Sequence, residues 1–124
     1  MSGIRGRNTR PERLVRSFLH RQGLRFVLHD RRLPGRPDIV LPRFRSVVLV
    51  HGCFWHRHAA CRFAYKPKSN RPFWSQKFRG TVQRDLRNTK ALRRLGWKVH
   101  VVWECQITEK RLLRLVSRIR KSEP

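Results

Sequence analysis

The chain has 124 residues, of which 31 are Lys or Arg and only 7 are Asp or Glu, giving a formal net charge of +24. That length suits one domain with a real core, and so much like charge repels itself unless a polyanion neutralises it. Nucleic acid is therefore the expected partner. No apolar run approaches the ~20 residues of a membrane span, the arginine-rich start lacks the apolar core of a signal peptide, and no basic amphipathic stretch has an apolar face to spare for a lipid surface. The expectation is an intracellular protein without membrane contact.

In chain order, residues 1–8 read as a flexible basic arm and residues 9–124 as a single domain. Thr9-Arg10-Pro11-Glu12 is a helix start, with Thr9 as N-cap, Pro11 in the first turn and Glu12 closing a capping box. Leu14, Val15, Phe18 and Leu19 recur at helical spacing until Gly23. Leu24 to His29 is a short strand, and Leu33-Pro34-Gly35-Arg36-Pro37 a tight turn leading into the strand Asp38-Ile39-Val40-Leu41. Ser46 to Val50 is β-branched and apolar on both faces, as in a central buried strand. A basic loop at 62–72 precedes a long helix from Phe73 to Leu95, expected to be interrupted or bent near Gly80 and capped by Gly96. Trp97 to Trp103 reads as a second buried strand, and Thr108 caps a last helix carrying Leu112, Leu115, Val116 and Ile119. The order helix, three strands, helix, strand, helix predicts an α/β sheet flanked by helices on both faces.

The chain has three cysteines, so internal disulfides cannot use them all. Three thiolates and one imidazole instead make a complete tetrahedral zinc set. Cys53, His58 and Cys61 lie close together, and Cys105, after a different strand, would bolt that knot to the fold. With no open position, such a zinc is structural. His51 and His56 compete with His58 for the fourth place, His56 being the nearer rival.

Each of the few carboxylates is informative. Asp38 opens a strand after a turn, where metal-dependent nucleases of the restriction-enzyme type place an aspartate that holds Mg²⁺. Their second carboxylate and lysine are absent, and the adjoining strand ends instead in Val50-His51. Phosphodiester hydrolysis needs a cation to offset charge at phosphorus and a base to activate water. Asp38 can supply the first, and His51 or His56, with an ordinary pKa of about 6.5, the second. Glu12 could reach the same cleft or serve only in its capping box. Asp85, Glu104 and Glu109 read as capping or ion-pair residues, and His20, His29 and His100 as surface or packing residues. Phe54 and Trp55, within the metal-ligand knot, and Phe73-Trp74, after the basic loop, are candidate wedges between base pairs, while Trp97 and Trp103 are expected in the core.

Leu33-Pro34-Gly35-Arg36-Pro37-Asp38, His51-Gly52-Cys53-Phe54-Trp55-His56, Phe73-Trp74, Arg84-Asp85 and Leu95-Gly96-Trp97 through Val102-Trp103-Glu104-Cys105 together span almost the whole chain. In these residues the chain resembles the very-short-patch mismatch-repair endonucleases. The resemblance implies a restriction-endonuclease-like mixed sheet with a structural zinc, and an Mg²⁺-dependent nick of one DNA strand 5′ to the thymine of a T:G mismatch left by deaminated 5-methylcytosine. It implies that Asp38 binds the metal together with the main-chain oxygen of Val50, that His56 activates water, that His51 assists at the phosphate, and that Glu12 belongs to the catalytic site. Phe54, Trp55 and Trp74 match the intercalating aromatics, and Cys53, His58, Cys61 and Cys105 the zinc ligands. It further implies a monomer acting on double-stranded DNA in a prokaryotic or phage-infected cytoplasm, at the nucleoid, with other mismatch-repair proteins as further partners. Three features depart from the family pattern. Val50 stands where threonine is usual, Ala59-Ala60 lengthens the zinc loop by one residue, and the basic arm is short where the family has a helix in the minor groove. The alternative function is a non-catalytic, zinc-stabilised module that binds distorted duplex.

Overall fold

The computed structural model describes residues 9–53 and 71–121, apart from the side chains of Arg71 and Pro72. Helix α1 (Arg10–Arg21) begins where Thr9 Oγ1 accepts the Glu12 N–H at 3.4 Å. It ends in a Schellman motif in which Gly23 N–H reaches the His20 carbonyl and Leu24 N–H the Leu19 carbonyl. Its buried stripe is Glu12, Val15, Phe18 and Leu19, while Leu14 faces outward. A carboxylate therefore occupies the core-facing side of the helix, one turn before Val15. The expected capping box is only half formed, because the Glu12 side chain turns inward rather than back to its own helix end.

Strand β1 (Val27–Leu28) is shorter than the sequence suggested and pairs antiparallel with β2 (Ile39–Leu41). A 3₁₀ turn at Pro42–Phe44 leads to β3 (Ser46–His51), which pairs antiparallel with β2 and parallel with β4 (Lys98–Trp103). The four strands lie in the order β1-β2-β3-β4, a mixed sheet. Helix α2 (Arg71–Arg94) makes the crossover between the parallel strands β3 and β4, and α3 (Glu109–Arg120) follows β4 with Thr108 Oγ1 accepting the Arg111 N–H.

Strand alternation sorts the apolar residues onto two faces. On one face Ile39, Leu41, Val48 and Val102 pack against Val15, Phe18 and Leu19 of α1 and Leu112, Leu115, Val116 and Ile119 of α3. On the other, Val40 and Val47 meet Leu92 of α2, with Leu33, Trp97 and Val99 around them. Helices thus cover both faces, as the element order predicts. Strand β3 is an interior strand between β2 and β4, with Val47 and Val48 fully buried.

The interruption expected at Gly80 does not occur: α2 is continuous for 24 residues. A glycine inside a helix costs about 1 kcal/mol relative to alanine, and anchorage through buried Phe78 and Leu92 outweighs that. Nor is β4 a buried strand. Only Val102 of it is buried, and Val101 points outward, because among the described strands β4 lies at the end of the sheet with a neighbour on one side only. Trp97 and Trp103 are half-buried rather than enclosed. Among the described residues no helix is long and apolar enough to cross a membrane.

Candidate active site

The sheet register brings distant acidic and imidazole groups to the end where β2 starts and β3 finishes. Asp38 immediately precedes β2, and its Oδ2 accepts the Val50 N–H at 2.7 Å. Backbone pairing between β2 and β3 ends at Ile39–Val48, so the Asp38 carboxylate takes up the next ladder position. A short bond to a charged acceptor holds that carboxylate firmly at the strand end. The turn before it lies against α2: a Cβ built on Gly35 would sit 2.7–2.9 Å from Asn88 side-chain atoms. Asp38, Val50 and His51 line one cavity of about 150 Å³ together with Arg36, Asp85 and Asn88. The His51 ring is buried edge-on against Trp103, with ring centroids 5.0 Å apart.

Asp38 also joins a second group of side chains. One donor atom each from Glu12, His29 and Asp38 lies within 4.8 Å of the others. Glu12 is fully buried; its Oε2 accepts a bond from Arg16 Nη1 at 3.2 Å and lies 2.9 Å from His29 Nε2. The latter contact is close but not aligned as a hydrogen bond, and Glu12 Oε1, also buried, has no hydrogen-bond partner among the described residues. Two carboxylates thus share a site with one arginine, an arrangement that a bound cation would stabilise.

The sequence reading assigned His29 to surface or packing, and the structure corrects this. The antiparallel pair Leu28–Ile39 sets His29 opposite Asp38, whose carbonyl accepts the His29 N–H at 3.2 Å. His29 is left-handed (φ 48°), which ends the strand and accompanies the placement of its ring on Glu12. The next residue, Asp30, braces the loop by accepting three bonds from the Arg32 N–H and guanidinium. Those bonds hold its carboxyl below the ordinary range. Asp85, expected to cap or pair, is among the residues that line the cavity. A hairpin folded about Pro34-Gly35 would have been the sequence signal for His29.

Of the other expected site residues, Phe54, Trp55, His56, His58 and Cys61 lie outside the described residues. Cys53 is fully buried and Cys105 exposed, each two positions beyond the paired residues His51 and Trp103 at the ends of neighbouring parallel strands. Glu104 links those ends, its Oε1 accepting the Cys53 N–H at 3.2 Å. Trp74 is half-buried between Phe73, edge-on at 5.3 Å, and Phe78, stacked at 5.8 Å, and Phe73 is the more exposed ring. Beyond them α2 presents Lys77, Arg79, Arg84, Arg87, Lys90 and Arg93, all exposed, as a basic surface suited to phosphates.

Comparison with known proteins agrees with this chemistry. A profile of the family described as DNA mismatch endonuclease Vsr matches residues 1–62. The chain is 50% identical over 109 residues to the type II nicking enzyme V.XorIIP of Xanthomonas oryzae pv. oryzae, covering 88% of this chain and 79% of that protein. It is 45% identical over 125 residues to the type II nicking enzyme V.NmeAIP of Neisseria meningitidis, covering 97% and 89%. It is 43% identical over 107 residues to the DNA mismatch endonuclease Vsr of Escherichia coli, covering 86% and 68%. These relatives make the chain a DNA endonuclease, a phosphodiester hydrolase, and its basic surface and clustered acid–imidazole groups accord with that. Within that class, the chain belongs to the Vsr family of DNA mismatch endonucleases.

Proposed function

We propose that the protein nicks one strand of duplex DNA 5′ to the thymine of a T:G mismatch, as a monomer, using Mg²⁺ or a similar divalent cation. The observation that carries this reading is the position of Asp38, whose carboxylate belongs both to the Glu12–His29 group and to the cavity that His51 lines. The buried, unpartnered Glu12 Oε1 beside it is the kind of donor a cation satisfies. Asp38 would hold the cation with the main-chain oxygen of Val50; in an extended strand a residue's C=O faces the same neighbour as its N–H, and the Val50 N–H already faces Asp38. Once bound, a divalent cation offsets the negative charge that accumulates at phosphorus.

The chain's own groups do the rest. His56 accepts a proton from the attacking water, while His51, oriented by Trp103, assists at the phosphate. Glu12, braced by Arg16, would offer its second oxygen to the same cation. Exposed lysines and arginines of α2 grip the backbone, while Phe54, Trp55 and Trp74 wedge beside the mismatch, where unstacking costs least. Cys53, His58, Cys61 and Cys105 hold a zinc that ties the wedge-bearing segment to the ends of β3 and β4; the two cysteines at those strand ends support this.

The test is nicking of a labelled T:G duplex by wild type, Asp38→Ala and His56→Ala in Mg²⁺. Each substitution should lower the single-turnover rate by about 10²-fold or more, with DNA binding retained. Unchanged rates in both variants would overturn the site; absence of cutting by wild type, with tight binding, would favour the non-catalytic module.

A further inference from the structure

We propose that His29 is a nitrogen ligand of the divalent cation held at Asp38 and Glu12, so that this centre takes Mn²⁺ in preference to Mg²⁺ and Ca²⁺. The inference deepens the reading above and rests on the cation centre assigned there to Asp38. Three observations carry it. The donor atoms of Glu12, His29 and Asp38 lie within 4.8 Å of one another. The span across an octahedral Mg²⁺ shell is about 4.2 Å, so a small inward adjustment closes the three on one ion. His29 Nε2 approaches Glu12 Oε2 to 2.9 Å without hydrogen-bond alignment, a spacing that two ligands of a common ion share. Glu12, fully buried, keeps a second oxygen with no hydrogen-bond partner among the described residues.

The local backbone fits the assignment. His29 adopts a left-handed conformation that few non-glycine residues take up, and such conformations persist where surrounding structure fixes them. Here the Asp38 carbonyl fixes it through the His29 N–H, so one ligand's main chain sets the position of the other. Two carboxylates and one imidazole form a mixed oxygen–nitrogen set. Magnesium and calcium select oxygen ligands, whereas imidazole suits the first-row transition metals.

The experiment uses the full-length, DNA-free, zinc-loaded protein titrated with Mn²⁺. Binding is read from loss of the free-ion electron paramagnetic resonance signal, and nitrogen coordination from ¹⁴N modulation of the bound ion's spin echo. His29→Asn is the main variant because asparagine tolerates the left-handed backbone; His29→Gln is the second, and circular dichroism checks that each is folded. Wild type should bind Mn²⁺ more tightly than Mg²⁺ in competition and show ¹⁴N modulation. Both variants should lose the modulation and about tenfold or more in Mn²⁺ affinity, the loss that even an outer-shell partner of a metal ligand carries. Modulation and affinity unchanged in a folded His29 variant overturn the proposal, and a nicking defect with unchanged Mn²⁺ binding does so too, making His29 a positioning residue for Glu12. Undiminished binding in Asp38→Asn would instead refute the Asp38 centre itself, so the two failures are distinguishable.

Discussion

Replacing Gly35 by alanine should damage both stability and activity, and the structure separates two causes. Gly35 has φ +74°, where a side chain is strained, and its added Cβ would lie 2.7 Å from Asn88 Nδ2, 2.8 Å from Cγ and 2.9 Å from Cβ. The left-handed backbone costs an L-residue about 1–2 kcal/mol. The clash adds about 1–3 kcal/mol of overpacking, since Asn88 Cβ is fixed to helix α2 and no rotation of the amide removes it. Gly23 supplies the control: its φ is +87° but nothing lies within 4 Å of an added Cβ. Gly23→Ala should therefore lose only the backbone part, and Gly35→Ala about 2–5 kcal/mol in all. In urea, with a slope of about 2 kcal/mol/M, the midpoint should fall by about 1–2.5 M. Asn88→Ala introduced beside Gly35→Ala removes the two nearest atoms, Nδ2 and Cγ, and should recover part of that loss. Equal midpoints for Gly23→Ala and Gly35→Ala would refute the close packing of this turn on α2.

Further outcomes follow from single contacts. Asp38→Asn keeps an acceptor for the Val50 N–H and should nearly preserve the melting temperature while abolishing nicking; Asp38→Ala should lose both, with about 1.5–3 kcal/mol of stability. Equal stability of the two variants would contradict that bond. Burial, together with the positive charges of Arg118 and Lys98, holds the His100 pKa below the ordinary imidazole value. The unfolded chain then binds the proton first, so this contribution is full above about pH 6.5 and is lost as pH falls from there towards the lowered folded value. His100→Gln should flatten the decline in melting temperature between about pH 7.5 and 5.5; an unaltered slope would exclude the effect. Removing zinc with a chelator should lower the melting temperature of wild type but not of folded Cys105→Ala. Metal analysis showing no zinc in wild type would refute the ligand set.

Much of the architecture follows from local pattern. Thr9 and Thr108 at helix starts, Gly23 and Gly96 at helix ends, and the β-branched run at Ser46–Val50 each specify an element that the structure contains. The failures share one physical origin, non-local placement. The valines and flanking tryptophans around β4 suit a buried strand, but its end position in the sheet leaves it partly exposed. Gly80 looks like a breaker until tertiary packing of α2 offsets its cost. Glu12 was readable in one respect, since it falls in step with Val15 and Leu19 on the buried stripe. His29 was not, because its partners come from a helix 17 positions earlier and a strand 9 positions later, joined only when the hairpin closes. Family resemblance carried the zinc and intercalation assignments beyond what spacing alone supports.

A centre built around Asp38 should nick a single strand at a mismatch. The decisive measurement maps cleavage on a duplex with a different label on each strand, carrying one T:G pair, in single turnover with wild type and Asp38→Asn. One product is expected, on the thymine strand immediately 5′ to the mismatched base, absent with Asp38→Asn and with a matched T:A duplex. Cleavage of both strands, equal cutting of the matched duplex, or the same product from Asp38→Asn would contradict it.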